Sequence, residues 1–231
     1  MPEKPDWLRK RLPTGKITQE IEADLMKGSL HTICQEGCCP NQGECFSRGV
    51  ATFLIIQAVR QRCPGVGIEV LIPDFQGSTS ALEAVIKAIP EVLNHNVETV
   101  PRLFRDVRPM GNYEQSVALL KKVKEIDRSM ITKSGLMVGL GETLEDIANV
   151  MDDLRDAGCD ILTMGQYLRP SKNHYPVYEY VNHDVYATYE KLAYEKGFKH
   201  VAAGPFVRSS YRAEESYKRA LNFGKETGGM A

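Results

Sequence analysis

The chain has 231 residues, a formal charge of −1 at pH 7 and 42% hydrophobic residues, which is ordinary for a protein with a single buried core. A charge this close to zero gives no electrostatic reason to expect binding to nucleic acid or to an anionic membrane. The longest apolar run, residues 50–56, is too short to span a bilayer. Because the first residues also lack an apolar signal core, we expect a cytoplasmic protein whose thiols stay reduced.

A cysteine-rich loop is the most distinctive stretch of the chain. Four of the six cysteines fall within residues 34–45, in a run that proline and glycine keep from being helical. The best-spaced set is Cys34, Cys39 and Cys45. Three thiolates on a looping backbone favour an iron–sulfur cluster. Structural zinc and a disulfide framework are the alternatives; zinc modules usually add a second close ligand pair, and disulfides need an oxidising compartment.

After this loop, short apolar runs alternate with amphipathic segments. Strands are predicted at residues 50–56, 68–72, 92–97, 135–138, 161–164 and 200–203, and helices at residues 80–89, 113–127, 143–157 and 184–196. This alternation predicts an α/β fold with a parallel sheet, in which functional residues sit at the carboxyl ends of the strands. Residues 57–67 are too few for a parallel crossover. Either the two flanking strands are not neighbours, or a βα segment is missing between them.

A set of motifs, in a fixed order along the chain, resembles the lipoyl synthase family of radical S-adenosylmethionine (SAM) enzymes. The motifs are residues 30–34, 39–41, 43–45, 69–75, 94–101, 132–142, 160–167 and 204–211. The resemblance runs from about residue 7 to residue 211 and is interrupted after Ile56. It implies a partial (β/α) barrel of the radical SAM type with an N-terminal cysteine-loop extension. The expected units are residues 1–48 (arm and cysteine loop), 49–212 (partial barrel, truncated between about 56 and 67) and 213–231 (tail).

The resemblance also implies a reaction: insertion of two sulfur atoms at C6 and C8 of an octanoyl group carried by a protein. The implied partner is an octanoylated lipoyl carrier, either the glycine cleavage H protein or the lipoyl domain of a 2-oxoacid dehydrogenase E2. The family uses SAM with one [4Fe–4S] cluster to generate a radical, and an auxiliary [4Fe–4S] cluster as the sulfur source. By resemblance, the auxiliary cluster is held by Cys34, Cys39, Cys45 and Ser209. Ser209 is the implied catalytic ligand, because a hard oxygen ligand to iron can open and free one corner of the cluster.

Six further residues match positions at which the family handles SAM. They are Asn94, Asn96, Glu98 and Gln166 at predicted strand ends, and Gly139 and Glu142 in the run Gly135-x-Met137-x-Gly139-x-x-Glu142. The resemblance therefore implies that these six bind the cofactor. The alternative for each polar residue is a strand-end side chain that hydrogen-bonds a loop.

The chain departs from the family at the radical cluster. That cluster is held by a Cys-x3-Cys-x2-Cys loop expected just after Ile56, and the sequence contains no such triplet. Cys34 and Cys38 have the first spacing, but residue 41 is asparagine. The gap coincides with the interval that is too short for a crossover. We therefore expect no reductive cleavage of SAM by this chain, with a non-catalytic iron–sulfur binding remnant of the enzyme as the alternative function.

Two isolated cysteines and the gap itself give further expectations. Cys63 and Cys159 are predicted to be small buried residues rather than ligands, with Cys63 at the end of a helix and Cys159 behind the strand at residue 161. A barrel that lacks one βα unit leaves strand edges unpaired. The expectation is an open or locally disordered sheet near residues 50–67, low solubility, or repair of the gap by dimer contacts.

Overall fold

The computed structural model of the chain describes residues 56–223. The helices are α1 (Ile56–Arg62), α2 (Thr79–Lys87), α3 (Phe104–Val107), α4 (Tyr113–Ile126), α5 (Leu144–Asp156), α6 (His183–Glu195) and α7 (Ala213–Asn222), and the strands are β1 (Glu69–Leu71), β2 (Val92–Asn94), β3 (Ile131–Val138), β4 (Ile161–Gln166) and β5 (His200–Ala203). The expected N-terminal unit, its cysteine loop and most of the first predicted strand lie outside the described residues.

The strands form one parallel sheet in the order β1-β2-β3-β4-β5, because each pair of successive strands is joined through at least one helix. Within residues 56–223, β1 pairs only with β2 and β5 only with β4. The described sheet is therefore open, and the prediction of an α/β partial barrel is confirmed.

One face of the sheet packs against the helices and forms the main core. Residues Val70, Leu93, Leu136, Leu162 and Val201 alternate onto this face and are buried. The opposite face, called the inner face from here on, is apolar at the amino end of the strands, where Val92, Ile131 and Ile161 contact Ala220 of α7. Residues 213–222, expected in the tail, thus form a helix that covers this end of the sheet.

A buried carboxylate ties the amino ends of β3 and β4 together. Asp160 accepts from Lys124 Nζ at 2.6 Å, from the backbone N–H of Thr132 at 2.9 Å, and forms an ion pair with Lys199 at 2.8 Å. Burial raises the pKa of Asp160, but the hydrogen bonds from both lysines and from Thr132 outweigh it, so that the pKa lies below its usual value of 3.8.

The three longest predicted helices are confirmed within two residues at each end. Thr143, the first residue of the predicted helix, is the N-cap of α5 and forms a capping box with Asp146. Two expectations are wrong. Ile56 was expected to end a strand but is the first residue of α1, and Cys63, expected to be buried, is exposed. Its place at the end of a helix is confirmed by the hydrogen bond from its N–H to the carbonyl of Val59.

No helix within residues 56–223 has both the length and the apolar composition needed to cross a membrane.

Candidate functional site

Polar side chains gather on the inner face where β2 and β3 approach their carboxyl ends. Asn96 follows β2, and its side chain lies against Gly135 of β3. A Cβ atom at Gly135 would lie 2.6 Å from Asn96 Oδ1 and 3.1 Å from Thr163 Oγ1. Only glycine leaves room for the Asn96 side chain here.

Glu98 is held in this group by its backbone. Its N–H donates to Gly135 at 3.0 Å, and its carbonyl accepts from the N–H of Met137 at 2.8 Å. Its φ of +66° is in the left-handed region. A residue other than glycine adopts this conformation at an energetic cost, and such strained residues often occur at functional sites. Asn96 Nδ2 donates to Glu98 Oε1 at 3.2 Å.

Electrostatics at Glu98 reflect its burial. Burial raises the pKa of this carboxyl, and the hydrogen bond from Asn96 and the nearby Arg108 and Arg208 guanidinium groups oppose the rise only in part. Arg108 also donates to the backbone carbonyl of Asn96 at 3.2 Å. Two arginines from different loops therefore face one carboxyl at this edge of the sheet.

Two amide oxygens in this group have no hydrogen-bond donor among the described residues. They are Oδ1 of Asn94 and Oδ1 of Asn96, both shielded from solvent. The Asn94 side chain is fully buried, and its Nδ2 donates to Glu69 Oε1 at 3.2 Å. A buried acceptor without a donor costs about 1–3 kcal/mol. The arrangement suits a ligand that brings O–H or N–H donors.

Glu142 and Gly139 form a second, separate turn at the end of β3. The Glu142 carboxylate accepts from the N–H groups of Gly139 at 2.6 Å and Leu140 at 2.9 Å. Burial raises the pKa of Glu142 although these hydrogen bonds act against it. Gly139 has a φ of +92°, and a Cβ there would collide with the Gln166 amide and the Glu179 carbonyl. The Glu142 carboxylate therefore stabilises the turn in which it lies.

Gln166 is not brought together with Asn94, Asn96 and Glu98. Gln166 is aligned with Val138 on the helix-packed face of the sheet and is fully buried. Its Nε2 donates to the carbonyls of Tyr167 at 3.1 Å and Glu179 at 3.0 Å, and its Oε1 accepts from the N–H of Val181 at 2.8 Å. These contacts hold the segment after β4 onto the sheet, and a role in cofactor binding remains a prediction.

The loop that carries Ser209 returns to the inner face. It begins after β5, where the N–H of Gly204 donates to Met164 at 3.0 Å. The Val207 carbonyl and the Arg208 guanidinium lie against Gly165, so closely that a Cβ at this glycine would collide with both. The loop thus lies at the same edge as Glu98. Cys34, Cys39 and Cys45 are outside the described residues, and the predicted cluster ligation remains a prediction.

The sequence reasoning missed a buried ion pair beneath this group. Lys133 Nζ lies 2.9 and 3.0 Å from the two carboxylate oxygens of Glu69, and the two side chains are 0% and 7% exposed. The usable signal was a pair of opposite charges within the motifs at residues 69–75 and 132–142, which are otherwise mostly uncharged. Such charges are rarely buried unless paired.

Of the two isolated cysteines, Cys63 is exposed and Cys159 is buried. Cys159 is buried behind β4, where its Sγ donates to the carbonyl of Ile161 at 3.4 Å, as predicted. Burial raises the pKa of this thiol to about 12. No group of three or more His, Cys, Asp or Glu side chains within residues 56–223 could hold a metal ion.

Comparison with known proteins identifies relatives that align with most of the chain. The Radical SAM superfamily matches residues 4–154. A lipoyl synthase from Caldanaerobacter subterraneus subsp. tengcongensis is 42% identical over 273 aligned positions, which cover 91% of this chain and 96% of the relative. A lipoyl synthase from Caldicellulosiruptor saccharolyticus is 40% identical over 279 positions, with 94% and 98% covered.

Among solved structures, a similar chain is the radical SAM methyltransferase TsrM from Kitasatospora setae, whose structure has cobalamin and a [4Fe–4S] cluster bound. It is 14% identical with a TM-score of 0.37, over 63% of this chain and 29% of that one. This likeness is too weak to inform the function. The sequence relatives are decisive, because they are about 40% identical in alignments that span nearly their full length. The chain belongs to the lipoyl synthase family of the radical SAM superfamily.

Proposed function

We propose that this chain carries the sulfur-donating part of a lipoyl synthase and lacks the part that generates the radical. The substrate in this proposal is a protein-bound octanoyl group, modified at C6 and C8, and the carrier is the H protein or an E2 lipoyl domain. The observation that carries the proposal is the 42% identity across 96% of a lipoyl synthase, combined with a sequence that contains no Cys-x3-Cys-x2-Cys triplet.

The alignment itself supports a missing internal segment. It extends over 273 positions, whereas 91% of this chain is only about 210 residues. About 60 positions of the alignment therefore have no counterpart in this chain. We place the missing segment between Ile56 and Gly67, where the family resemblance is interrupted and where, among the described residues, α1 precedes the edge strand β1.

The residues of the inner face fit the adenosyl part of SAM. The unpaired, buried oxygens of Asn94 and Asn96 would accept hydrogen bonds from its hydroxyl or amino groups, and the Glu98 carboxyl beside Asn96 offers a third acceptor. Gly139 and Glu142 shape the separate turn at the end of β3. The residues present do not fit the radical-generating cluster, because no cysteine triplet of its spacing exists in the sequence.

The auxiliary [4Fe–4S] cluster would be held by Cys34, Cys39, Cys45 and Ser209, and it would supply sulfur to the acyl chain. The position of the Ser209 loop supports this assignment, because the loop is packed on the inner face beside Gly165. A ligand on this loop would bring the sulfur source to the edge of the sheet at which the proposed SAM residues lie. A protein scaffold of this kind accelerates a reaction mainly by holding the two reacting groups, here SAM and the sulfur source, next to each other.

The test is an anaerobic assay of the reconstituted full chain with SAM, dithionite and an octanoylated H protein. We expect no 5′-deoxyadenosine and no lipoylated carrier. Detection of 5′-deoxyadenosine above the level without protein would overturn the proposed loss of radical chemistry. A matched positive control is a chain into which the missing segment of the Caldanaerobacter relative is inserted after Ile56, which should yield both products.

A further inference from the structure

The buried ion pair beneath the candidate site has a geometry that acts on Asn94. Glu69 lies on β1, Asn94 on β2 and Lys133 on β3, and Asn94 is directly aligned with Lys133 in the sheet. The Glu69 carboxylate therefore receives two donors at once: the Lys133 ammonium at 2.9 Å and the Asn94 amide at 3.2 Å. All three side chains lie on the inner face, opposite the helices of the main core.

The chemistry of the carboxylate decides which way the Asn94 amide points. An ionised carboxylate only accepts hydrogen bonds, so the amide must present its NH2 group to Glu69 and its oxygen to the other side. That oxygen is buried and has no donor among the described residues. Lys133 in turn gives this buried carboxylate a charged partner at 2.9 Å, without which a charge at this depth would be strongly destabilised.

We infer that Glu69 and Lys133 are positioning residues, which hold the Asn94 amide so that its oxygen faces the bound cofactor. This inference rests on the proposed function, since it takes SAM as the ligand that supplies the donor. It adds two residues to that proposal and specifies that the Asn94 side chain acts as a hydrogen-bond acceptor. At Asn94 the site offers an acceptor, and a ligand group without an O–H or N–H at that point would be rejected.

The test compares two variants that remove the buried charges together, so that neither leaves an unpaired ion. Glu69→Gln/Lys133→Met keeps an amide oxygen that can accept from Asn94 Nδ2. Glu69→Leu/Lys133→Met has no such acceptor and is otherwise similar in volume. Replacement of a whole buried ion pair is often close to neutral for stability, and thermal unfolding of both variants verifies that they fold.

The first readout is SAM affinity, measured by equilibrium dialysis of the full chain without reductant. We expect the leucine-containing variant to bind about tenfold more weakly than the parent, the worth of one hydrogen bond to a buried group. The glutamine-containing variant should stay within about twofold. Adding Asn94→Ala to the leucine-containing variant should cost little more, because residues that act through one another are not additive. Parental affinity in the leucine-containing variant, or a full additional loss with Asn94→Ala, would overturn the inference.

The second readout does not depend on the ligand. Hydrogen exchange of the Asn94 side-chain amide, assigned by its disappearance in Asn94→Ala, should be slow in the parent and in the glutamine-containing variant, and fast in the leucine-containing variant. Equal exchange in all three would overturn the positioning role. If the parent binds no SAM while this pattern holds, the proposed cofactor site fails and the orientation of Asn94 by Glu69 stands.

Discussion

Substitution of Gln166 by leucine separates two roles for this residue. The family resemblance implies that Gln166 binds the cofactor. Its contacts indicate instead a structural role, called the bracket role here, in which Gln166 holds the segment around residue 180 against β4 through hydrogen bonds. Gln166→Leu keeps the volume of the side chain and removes its hydrogen bonds to Tyr167, Glu179 and Val181. If the bracket role is the correct one, the variant loses stability rather than cofactor affinity.

The magnitude follows from the groups that the substitution leaves behind. The N–H of Val181 is buried, and an unpaired donor of this kind costs about 1–3 kcal/mol. Two backbone carbonyls lose a donor as well, and carbonyls tolerate this somewhat better. The sum is about 3 kcal/mol of unfolding free energy. For a chain of this size it corresponds to a fall in Tm of about 6–12 °C.

The assay is urea unfolding followed by circular dichroism, with Gln61→Leu as the matched control. Gln61 is an exposed residue of α1, where the same substitution should stay within about 0.5 kcal/mol. Limited proteolysis should also cut Gln166→Leu faster within residues 167–182. A Gln166→Leu variant as stable as the control but with weakened SAM affinity would refute the bracket and restore the cofactor role.

Three further predictions follow from single sites. Gly139→Ala should destabilise the fold by more than about 3 kcal/mol in urea unfolding, because Gly139 has a φ of +92° and a Cβ there would collide with a backbone carbonyl. Gly77→Ala is the control: Gly77 has a φ of +79° with open space around it, so this substitution should cost only about 1–2 kcal/mol. Equal losses of stability in the two variants would contradict this account. Asp160→Asn should be destabilised most at neutral pH. The pKa of Asp160 is lowered in the folded chain, so the charged carboxylate stabilises the fold at pH values above 3.8, the usual pKa of an aspartate. The loss of stability in the variant should therefore shrink as the pH falls below 3.8, which stability curves from pH 7 to pH 2.5 will verify. Brief alkylation at pH 8 with peptide mapping should label Cys63 and spare Cys159, whose thiol is buried with its pKa raised to about 12; equal labelling would mean that the sheet opens readily.

Much of the fold could be predicted from periodicity alone. Helices α4, α5 and α6 carry long apolar stripes, and α4 and α5 also begin at a capping side chain; such segments have few alternatives. The strand β3 was harder, because it starts at Ile131 rather than at residue 135. Its first half contains Lys133 and Ser134, which are polar in sequence but buried in the sheet. Only the tertiary partner of Lys133 explains its place in a strand.

The candidate site shows the same limit. The motif after β2 indicated that Asn94, Asn96 and Glu98 belong together, and the structure places them near one another. The sequence could not distinguish the side of the sheet on which Gln166 lies, because a strand end does not reveal which of its last two residues faces inward. Nor could it reveal Glu69 as a partner of Lys133, since 64 residues separate them in the chain.

The iron content of the anaerobically reconstituted chain tests the central claim most directly. We expect about four iron and four acid-labile sulfide per chain, the content of one [4Fe–4S] cluster. This content should be unchanged in Cys63→Ser/Cys159→Ser and lost in Cys34→Ser/Cys39→Ser. About eight iron per chain, or zinc in place of iron and sulfide, would contradict the account of a lipoyl synthase that keeps its sulfur source and lacks its radical-generating cluster.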